Sequence, residues 1–488
     1  MTQNIQSLKK LLEDIAEVDP LITVTGITNN SKQVKSGDLF IALNGDHIDA
    51  RKFIPEAIEQ GAAAVVYESS DGFSVDVSIP AIPVKNLNAL QAVIATRFYN
   101  DPSKVMRCVG VTGTNGKTSC TQWIAQALMH YKIACGVIGT LGAGFPDRLN
   151  QTGYTTPDAL LLQAELNQLH QQGAQAAAIE VSSHALSQHR LDGMRFDVAV
   201  FTQLSRDHLD YHETMENYKA AKKRLFEWPE LNAAVLNIDD PVGVDWAAEF
   251  SEEYPVITYS LQNSSALIYA EKVTPNSAGF EVNVKTSWGD GVFQLPFVGR
   301  FNVSNALAVL SVLVHFDIPM KQALHCLSLL QPVPGRMELF GGDNQPAVVV
   351  DYAHTPDALK NALEALRAHC EGRLWCVFGC GGDRDQGKRP EMAKIAELYS
   401  DQVVVTNDNP RTESPQSIVN DIMAGFSQEK VLIETDRAKA IDIAIQKAAQ
   451  KDTILVAGKG HEGYQIIGKE ERPFSDSEQV KQALARRA

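Results

Sequence analysis

The sequence predicts an α/β protein of three domains: a central parallel-sheet domain with a phosphate-binding loop, flanked on each side by an α/β domain. Three observations carry this. An apolar run from Val105 to Val111 enters Gly113-Thr-Asn-Gly-Lys-Thr118 and a helical pattern follows over Ser119–His130, the order strand, Gly-rich turn, helix. Short apolar strands alternate with amphipathic helices along most of the chain, as in βα units around a parallel sheet. The 488 residues amount to about three domains at 100–200 residues each.

Bulk properties narrow the function. Apolar residues at 44% and charged residues at 21% are those of an ordinary globular protein. A net charge of −15 argues against nucleic acid or an anionic membrane as partner, so an anionic substrate must be held by local Lys and Arg. Seven scattered cysteines read as reduced thiols, and Cys376 and Cys380 sit in an apolar pattern that points to core packing. The start Met1-Thr-Gln-Asn-Ile is no signal peptide, and no apolar run approaches a membrane span, so the expected location is the cytoplasm.

Along residues 1–105, a short helix at Ser7–Ile15 precedes a strand at Asp38–Leu43. A helix at Ile54–Gln60, a strand at Ala62–Tyr67 and a helix at Leu87–Tyr99 follow. Asn100-Asp-Pro-Ser103 marks the boundary. Residues 106–336 form the central domain. Strands are expected at Gln175–Glu180, Phe196–Phe201 and Ala233–Ile238, a small antiparallel sheet within Ile257–Phe297, and a helix after Gly299 to about 315. Thr156-Pro157-Asp158 reads as a helix start with a hydroxyl cap, and Thr355-Pro356-Asp357 repeats it. Residues 337–488 alternate again. Strands end at Asp351, Phe378, Thr406 and Ala457, with helices at 356–370, 390–399, 415–426 and 437–450. Gly-rich turns follow two of these strands, where open α/β sheets bind ligands. Their spacing is not that of a nicotinamide site.

Several residues carry chemistry. Gly113, Thr114, Asn115, Gly116, Lys117, Thr118 and Ser119 form a loop whose N–H groups can cradle phosphate, with Lys117 as a point charge and the Thr118 hydroxyl available to Mg²⁺. Val111 stands where the strict phosphate-loop pattern has its first Gly. Glu180 ends a buried strand, where a carboxylate serves either as a metal ligand or as a mere exposed strand end. Arg206-Asp-His-Leu-Asp-Tyr-His212 packs two histidines and two carboxylates into seven residues, as a polar loop or a second cation site. Lys222 shares a helix face with Met215, Tyr218 and Leu225, while Lys219, Lys223 and Arg224 point elsewhere. Two readings stand for it: a snorkelling stem, or a lysine aimed into the site.

Taken in order, Gly113-Thr-Asn-Gly-Lys-Thr118, Glu180-Val-Ser-Ser-His184, Asp207-His-Leu-Asp210, Phe301-Asn-Val-Ser-Asn305, Gly335-Arg-Met-Glu338 and Asp351-Tyr-Ala-His-Thr-Pro-Asp357 resemble the motifs of the Mur ligase family. Asp408-Asn-Pro-Arg411 and Gly458-Lys-Gly-His-Glu462 narrow the resemblance to the branch that adds a diamino acid. The resemblance covers all three domains. It implies a UDP-binding N-terminal domain, a central phosphate-loop ATPase domain and a C-terminal Rossmann-like domain for the amino acid. The implied reaction is ATP-dependent amide formation between UDP-N-acetylmuramoyl-L-alanyl-D-glutamate and meso-diaminopimelate, through an acyl phosphate. The implied cofactor is Mg²⁺ at two sites, held by Thr118, Glu180, His208 and Lys222, the last carbamylated. Asn305, Arg336 and His354 match positions around ATP. Asn29, Ser31, His47, Thr155, Thr156, Ser182, Gln188 and Arg190 match contacts to the UDP substrate. Arg384, Asp408, Asn409, Pro410, Arg411, Gly458 and Glu462 match the diaminopimelate pocket, in which the Arg411 fork suits the distal carboxylate. Tyr154 and Ala50 depart from residues common among relatives. A monomer acting on small molecules is expected.

Two other readings compete. Another ligase of the family would lack Asp408-Asn-Pro-Arg411. A GTP-dependent switch would need an Asn-Lys-x-Asp guanine motif, which the sequence does not contain.

Overall fold

The computed structural model describes residues 4–45, 48–70, 72–276, 279–342, 344–427 and 431–487. The chain packs into two compact units, neither continuous in sequence. The first takes residues 1–112, 132–200 and 221–234, and the second 113–131, 201–220 and 235–488. His47, expected near the UDP substrate, lies outside the described residues.

In the first unit, strands Gly26–Thr28, Asp38–Ala42, Ala64–Glu68 and Ala81–Val84 make a four-stranded, all-parallel sheet in chain order. Helix Leu87–Phe98 closes one face, and its apolar side shares a core with Ala159 and Leu160. The same unit holds Arg107–Thr112 beside Ala176–Glu180, which in turn pairs with Cys135–Gly139, all parallel. An antiparallel extension, Gly142–Phe145 and Arg148–Asn150, borders them. Ala176–Glu180 is buried throughout, as an Ala/Ile run covered on both faces must be.

In the second unit, strand Val256–Ser260 pairs with Ile268–Asn276, which forms an antiparallel meander with Gly279–Thr286 and Gly291–Leu295. This is the change of character the sequence announces. Helix Arg300–His315 is largely apolar and correspondingly buried; Asn302, Asn305 and Ser311 are its buried polar residues. The other large sheet of this unit is six-stranded. Glu338–Gly341 runs antiparallel at one edge, followed by Ala347–Asp351, Thr453–Ala457, Leu374–Phe378, Gln402–Val405 and Leu432–Ile433, all parallel. Helices Pro356–Arg367, Lys388–Tyr399 and Pro415–Met423 contribute to one apolar core, and Arg437–Lys447 and Asp476–Arg487 to another. Cys376 and Cys380 are buried there as core residues.

The twin Thr-Pro-Asp signals separate. Thr355 caps its helix as expected, its side chain accepting from Ala358 N, with Pro356 in the first turn. At the other, helix Ala159–Gln171 starts later and Asp158 is the cap, accepting from Leu160 N and Leu161 N. The Thr156 hydroxyl instead donates to Glu180 O at 2.6 Å. A buried strand-end acceptor competes successfully for it.

Candidate active site

Local geometry explains the phosphate loop. Gly113 and Gly116 have φ of +144° and +88°. A Cβ at Gly113 would lie 1.9 Å from Thr202 Oγ1, and one at Gly116 would lie 2.7 Å from Asn305 Oδ1. Side chains are excluded there on both steric and conformational grounds. Helix Lys117–His130 begins directly after Gly116, two residues earlier than its apolar pattern indicates. Thr114 is locked by Ser205: its Oγ1 donates to Ser205 O and accepts from Ser205 N, both at 3.0 Å. Lys117 Nζ donates to Gly113 O at 2.8 Å and Thr114 O at 2.9 Å. Arg336 Nη2 donates to Thr118 Oγ1 at 2.8 Å, and Asn115 Nδ2 to Asp357 Oδ2 at 3.2 Å. Ser119 is buried in the helix's first turn.

Arg336 also lies 4.4 Å over the Tyr352 ring, against which His461 and His354 pack. Arg336 Nε and His461 Nδ1 are buried with no hydrogen-bond partner among the described residues. Beside the glycine cradle and Thr118, such a leftover guanidinium donor fits a phosphate-bearing ligand. Burial, with Arg336 and Lys459 nearby, depresses the His461 imidazole to about 3.

Asp207 is the electrostatic centre of the second unit's polar layer. It is only 4% exposed. Lys388 Nζ stands 3.4 Å from its Oδ1, and the Nε2 atoms of His208 and His354 stand 3.4 and 3.5 Å from its Oδ2. Burial opposes its charge, but Lys388, His354 and His208 together hold its carboxyl well below the usual range. His354 is oriented by its Nδ1, which donates to Tyr352 O at 2.8 Å. His208 has a left-handed backbone, φ +55°. Non-glycine residues in that region are held there by their surroundings. Arg206 forks onto Asp385 at 3.1 and 3.3 Å.

In the first unit, Glu180 is 1% exposed and accepts from Thr140 N at 2.9 Å and Thr140 Oγ1 at 3.0 Å. The reading of an exposed strand end therefore fails. Thr140 also reaches Thr155 Oγ1 at 3.1 Å, and Thr156 Oγ1 lies 3.1 Å from Ser182 Oγ. Arg190 Nη1 donates to Thr156 O at 2.7 Å, and Arg190 Nε to Gln188 Oε1 at 3.0 Å. The structure thus gathers Thr155, Thr156, Glu180, Ser182, Gln188 and Arg190 into one polar cluster. Asn29 and buried Ser31 lie at the turn after strand Gly26–Thr28.

Lys222 lies on helix Met215–Lys223 and is 1% exposed, as is Tyr218. Leu225 just beyond is fully buried. A lysine so enclosed is no snorkelling stem with its amine in solvent. Lys219 pairs with Asp245 at 2.9 Å and Lys223 with Glu227 at 3.2 Å, as their other faces require.

The strand ends of the six-stranded sheet carry the second set of expected residues. Asp408, Asn409, Pro410 and Arg411 leave Gln402–Val405, and Gly458 and Glu462 leave Thr453–Ala457. Asn409 Nδ2 donates to Glu462 Oε2 at 2.9 Å. Arg411 has φ +50°, and its backbone is pinned by Arg411 N to Ile466 O at 3.1 Å and Gly468 N to Arg411 O at 2.7 Å. Its Nη1 donates to Gly382 O at 2.8 Å. Glu413, two residues on from Arg411, is taken by buried Arg389 at 2.8 and 2.9 Å. Arg384 is exposed and donates to Asp383 O. Sequence reasoning passed over Lys388, Arg389, Arg437 and Lys459. Their only signal is a basic residue near a helix start or within a Gly-rich turn.

Residues 23–99 match the Mur ligase family catalytic domain, 111–313 the Mur ligase middle domain, and 335–460 the Mur ligase glutamate ligase domain. The chain belongs to the Mur ligase family, and its framework of phosphate loop and strand-end loops is that of a ligase. It is 51% identical over 469 residues to the UDP-N-acetylmuramoyl-L-alanyl-D-glutamate–2,6-diaminopimelate ligase of Coxiella burnetii, covering 95% of this chain and 96% of that one. It is 50% identical over 472 residues to the same enzyme of Pseudomonas aeruginosa, covering 96% of each. A solved structure of such a diaminopimelate ligase superposes with a TM-score of 0.70 at 35% identity, covering 99% of both chains. MurF from Acinetobacter baumannii shares the fold at 16% identity, with a TM-score of 0.70 over 99% of both chains. Among the described residues, no helix is long and apolar enough to cross a membrane.

Two consequences can be measured. Asp207→Asn leaves Lys388 buried without its counter-charge, so stability should fall by about 3–5 kcal/mol, seen as a lower urea midpoint. Adding Lys388→Met should recover part of that loss, and strictly additive effects would show the pair to be uncoupled. For His461, the folded imidazole is depressed below its unfolded value, so its contribution is present above about pH 6.5 and is lost as pH falls toward about 3. Stability should therefore decline with a component of about 1.4 kcal/mol per pH unit between pH 6 and 4. That component should vanish in His461→Gln, and an unchanged slope would contradict the buried neutral imidazole.

Proposed function

We propose that this chain is the ATP-dependent, ADP-forming ligase that adds meso-diaminopimelate to UDP-N-acetylmuramoyl-L-alanyl-D-glutamate in peptidoglycan precursor synthesis. The observation that carries the reading is the half-identity, along nearly the whole chain, to ligases of that name. In the reaction, a γ-carboxylate oxygen of D-glutamate bonds to the γ-phosphorus of ATP as the bond to the ADP oxygen breaks. The amine of the diamino acid then attacks the acyl carbon, phosphate leaves and the amine's proton is lost. This chemistry is chiefly positioning and charge stabilisation.

The residues divide accordingly. Gly113 to Ser119 hold the outer phosphates through backbone N–H groups, and Lys117 supplies a positive charge to the transferred phosphoryl group. Asn305, Arg336 and His354 face the nucleotide, and the Arg336 Nε, which has no hydrogen-bond partner among the described residues, supports this. Thr118, Glu180, His208 and a carbamylated Lys222 are the ligands proposed for Mg²⁺ at two sites; the ion, when bound, neutralises phosphoryl oxygens. Carbamylation would convert a buried cation into a bidentate anion, the oxygen ligand that Mg²⁺ takes. Asn29, Ser31, His47, Thr155, Thr156, Ser182, Gln188 and Arg190 bind the UDP substrate. Arg384, Asp408, Asn409, Pro410, Arg411, Gly458 and Glu462 bind the diamino acid, with Arg411 reading its distal carboxylate. Three functional domains follow, at 1–105, 106–336 and 337–488. The enzyme is proposed to act as a cytoplasmic monomer.

A phosphate-release assay with ATP and the UDP-muramoyl dipeptide, offered diaminopimelate, lysine and ornithine in turn, tests the function. Release should depend on diaminopimelate. Arg411→Ala should raise the KM for diaminopimelate by about one to two decades, because a charge-assisted bidentate contact contributes about 1.5–3 kcal/mol, and leave that for ATP nearly unchanged. Equal use of lysine by the wild type would refute the specificity.

For Lys222, intact mass should reveal one added CO₂ in active enzyme. Lys222→Ala should lose most activity and regain part of it with a short added carboxylate. Full activity with an unmodified lysine would remove the carbamate from the mechanism.

A further inference from the structure

Below the two loops assigned to the diamino acid lies an ion pair whose side chains are both fully buried, Arg437 with Asp476. Nε and Nη2 of Arg437 each donate to an Asp476 oxygen at 2.7 Å. The remaining donors do not serve the pair. Nη2 also donates to Ala457 O at 2.9 Å, and Nη1 to Asn407 O at 3.3 Å. Ala457 is the last residue of Thr453–Ala457, and Asn407 lies just past the end of Gln402–Val405. These strands are not neighbours, since Leu374–Phe378 runs between them. One guanidinium therefore spans an intervening strand and holds the outlets of two others.

The next residue in each loop belongs to the pocket: Asp408 after Asn407, and Gly458 after Ala457. The loops meet directly above the guanidinium, where a Cβ on Gly458 would stand 2.7 Å from Asp408 Oδ2 and 3.9 Å from Arg437 Nη2. Lys459 makes a second tie from the same side. It is fully buried, and its Nζ donates to Asn409 Oδ1 at 3.0 Å and Glu462 Oε2 at 2.7 Å. Stability alone is a poor reason for Arg437 and Asp476, because a buried ion pair is often matched or bettered by an apolar pair of similar volume. Lysine, with three donors on one atom, cannot reach two carbonyls while forking onto a carboxylate.

We propose that Arg437, neutralised by Asp476 from the last helix, is a positioning residue for the incoming diamino acid. It sets the distance between the loop of Asp408 and Arg411 and the loop of Gly458 and Glu462, without touching the substrate. The proposal rests on the assignment of those loops to the diamino acid.

The test is steady-state phosphate release by the full-length enzyme, with each of the three substrates varied in turn. The variants are Arg437→Met/Asp476→Leu, Arg437→Lys and Arg411→Ala. The double variant removes the charge pair as a unit, which keeps the electrostatic cost small, and leaves two carbonyls one donor short, so its melting temperature should fall by no more than about 8 °C. Its KM for diaminopimelate should rise about tenfold or more, while the KM values for ATP and the UDP-muramoyl dipeptide stay within about twofold. Arg437→Lys should show the same split at smaller size, and it decides the matter should the double variant not fold. A merely structural role would lower the active fraction without moving one KM alone. A wild-type KM for diaminopimelate, or a common rise in all three, overturns the proposal. Arg411→Ala keeps the two readings apart: if it too leaves diaminopimelate kinetics unchanged, the pocket assignment has failed. If it is impaired while the Arg437 variants are not, only the positioning role has failed.

Discussion

A carboxylate taken out of water must be met by positive charge or strong donors, and Asp207 is met by three groups from different parts of the chain. His208 is its neighbour, His354 leaves strand Ala347–Asp351, and Lys388 opens helix Lys388–Tyr399. Because the charge cannot be left alone, these segments must assemble together. The same layer includes Arg206 on Asp385 and Asn115 on Asp357, so charged and polar contacts tie the phosphate loop's surroundings to the elements of the six-stranded sheet. Such contacts are directional. They fix where His354 and Lys388 point more tightly than oily packing would.

The strand-end region follows a similar logic with signs reversed. Arg389, Arg437 and Lys459 are enclosed cations, each answered by carboxylates: Glu413 and Asp421, Asp476, and Glu462. An acidic protein thereby keeps positive charge beneath its loops while the exposed side chains above are left to choose a ligand. Arg411 and His208 share an uncommon backbone conformation, each at a position assigned to chemistry. Strain of this kind persists only where neighbours over-determine it, as the hairpin Tyr464–Ile467 and Glu470–Pro473 does for Arg411.

Much of this was legible in the sequence where the signal was local. The glycines of the phosphate loop, the period that turned Lys222 inward and the alternation of the meander each depend on a few adjacent residues. What could not be read depends on distant partners. Two identical tripeptides behaved differently because the Thr156 hydroxyl donates to Glu180 O, whereas the Thr355 hydroxyl caps the first turn of its own helix. Arg389 and Arg437 resemble solvated residues at helix starts, yet both are enclosed, since their carboxylates arrive from 24 to 39 positions further along. The hub at Asp207 likewise draws on residues 354 and 388, which no spacing rule connects to it.

The two bonds from Lys117 to the carbonyls of its own loop have a consequence for nucleotide choice. The ammonium is already solvated by protein, so any nucleotide must compete with two neutral oxygens for it. A monophosphate that does not reach this position gains nothing from the lysine. On the proposed assignment of this loop to ATP, a longer polyphosphate would replace carbonyls with anionic oxygens and gain on the exchange, which would make the loop a gauge of phosphate chain length.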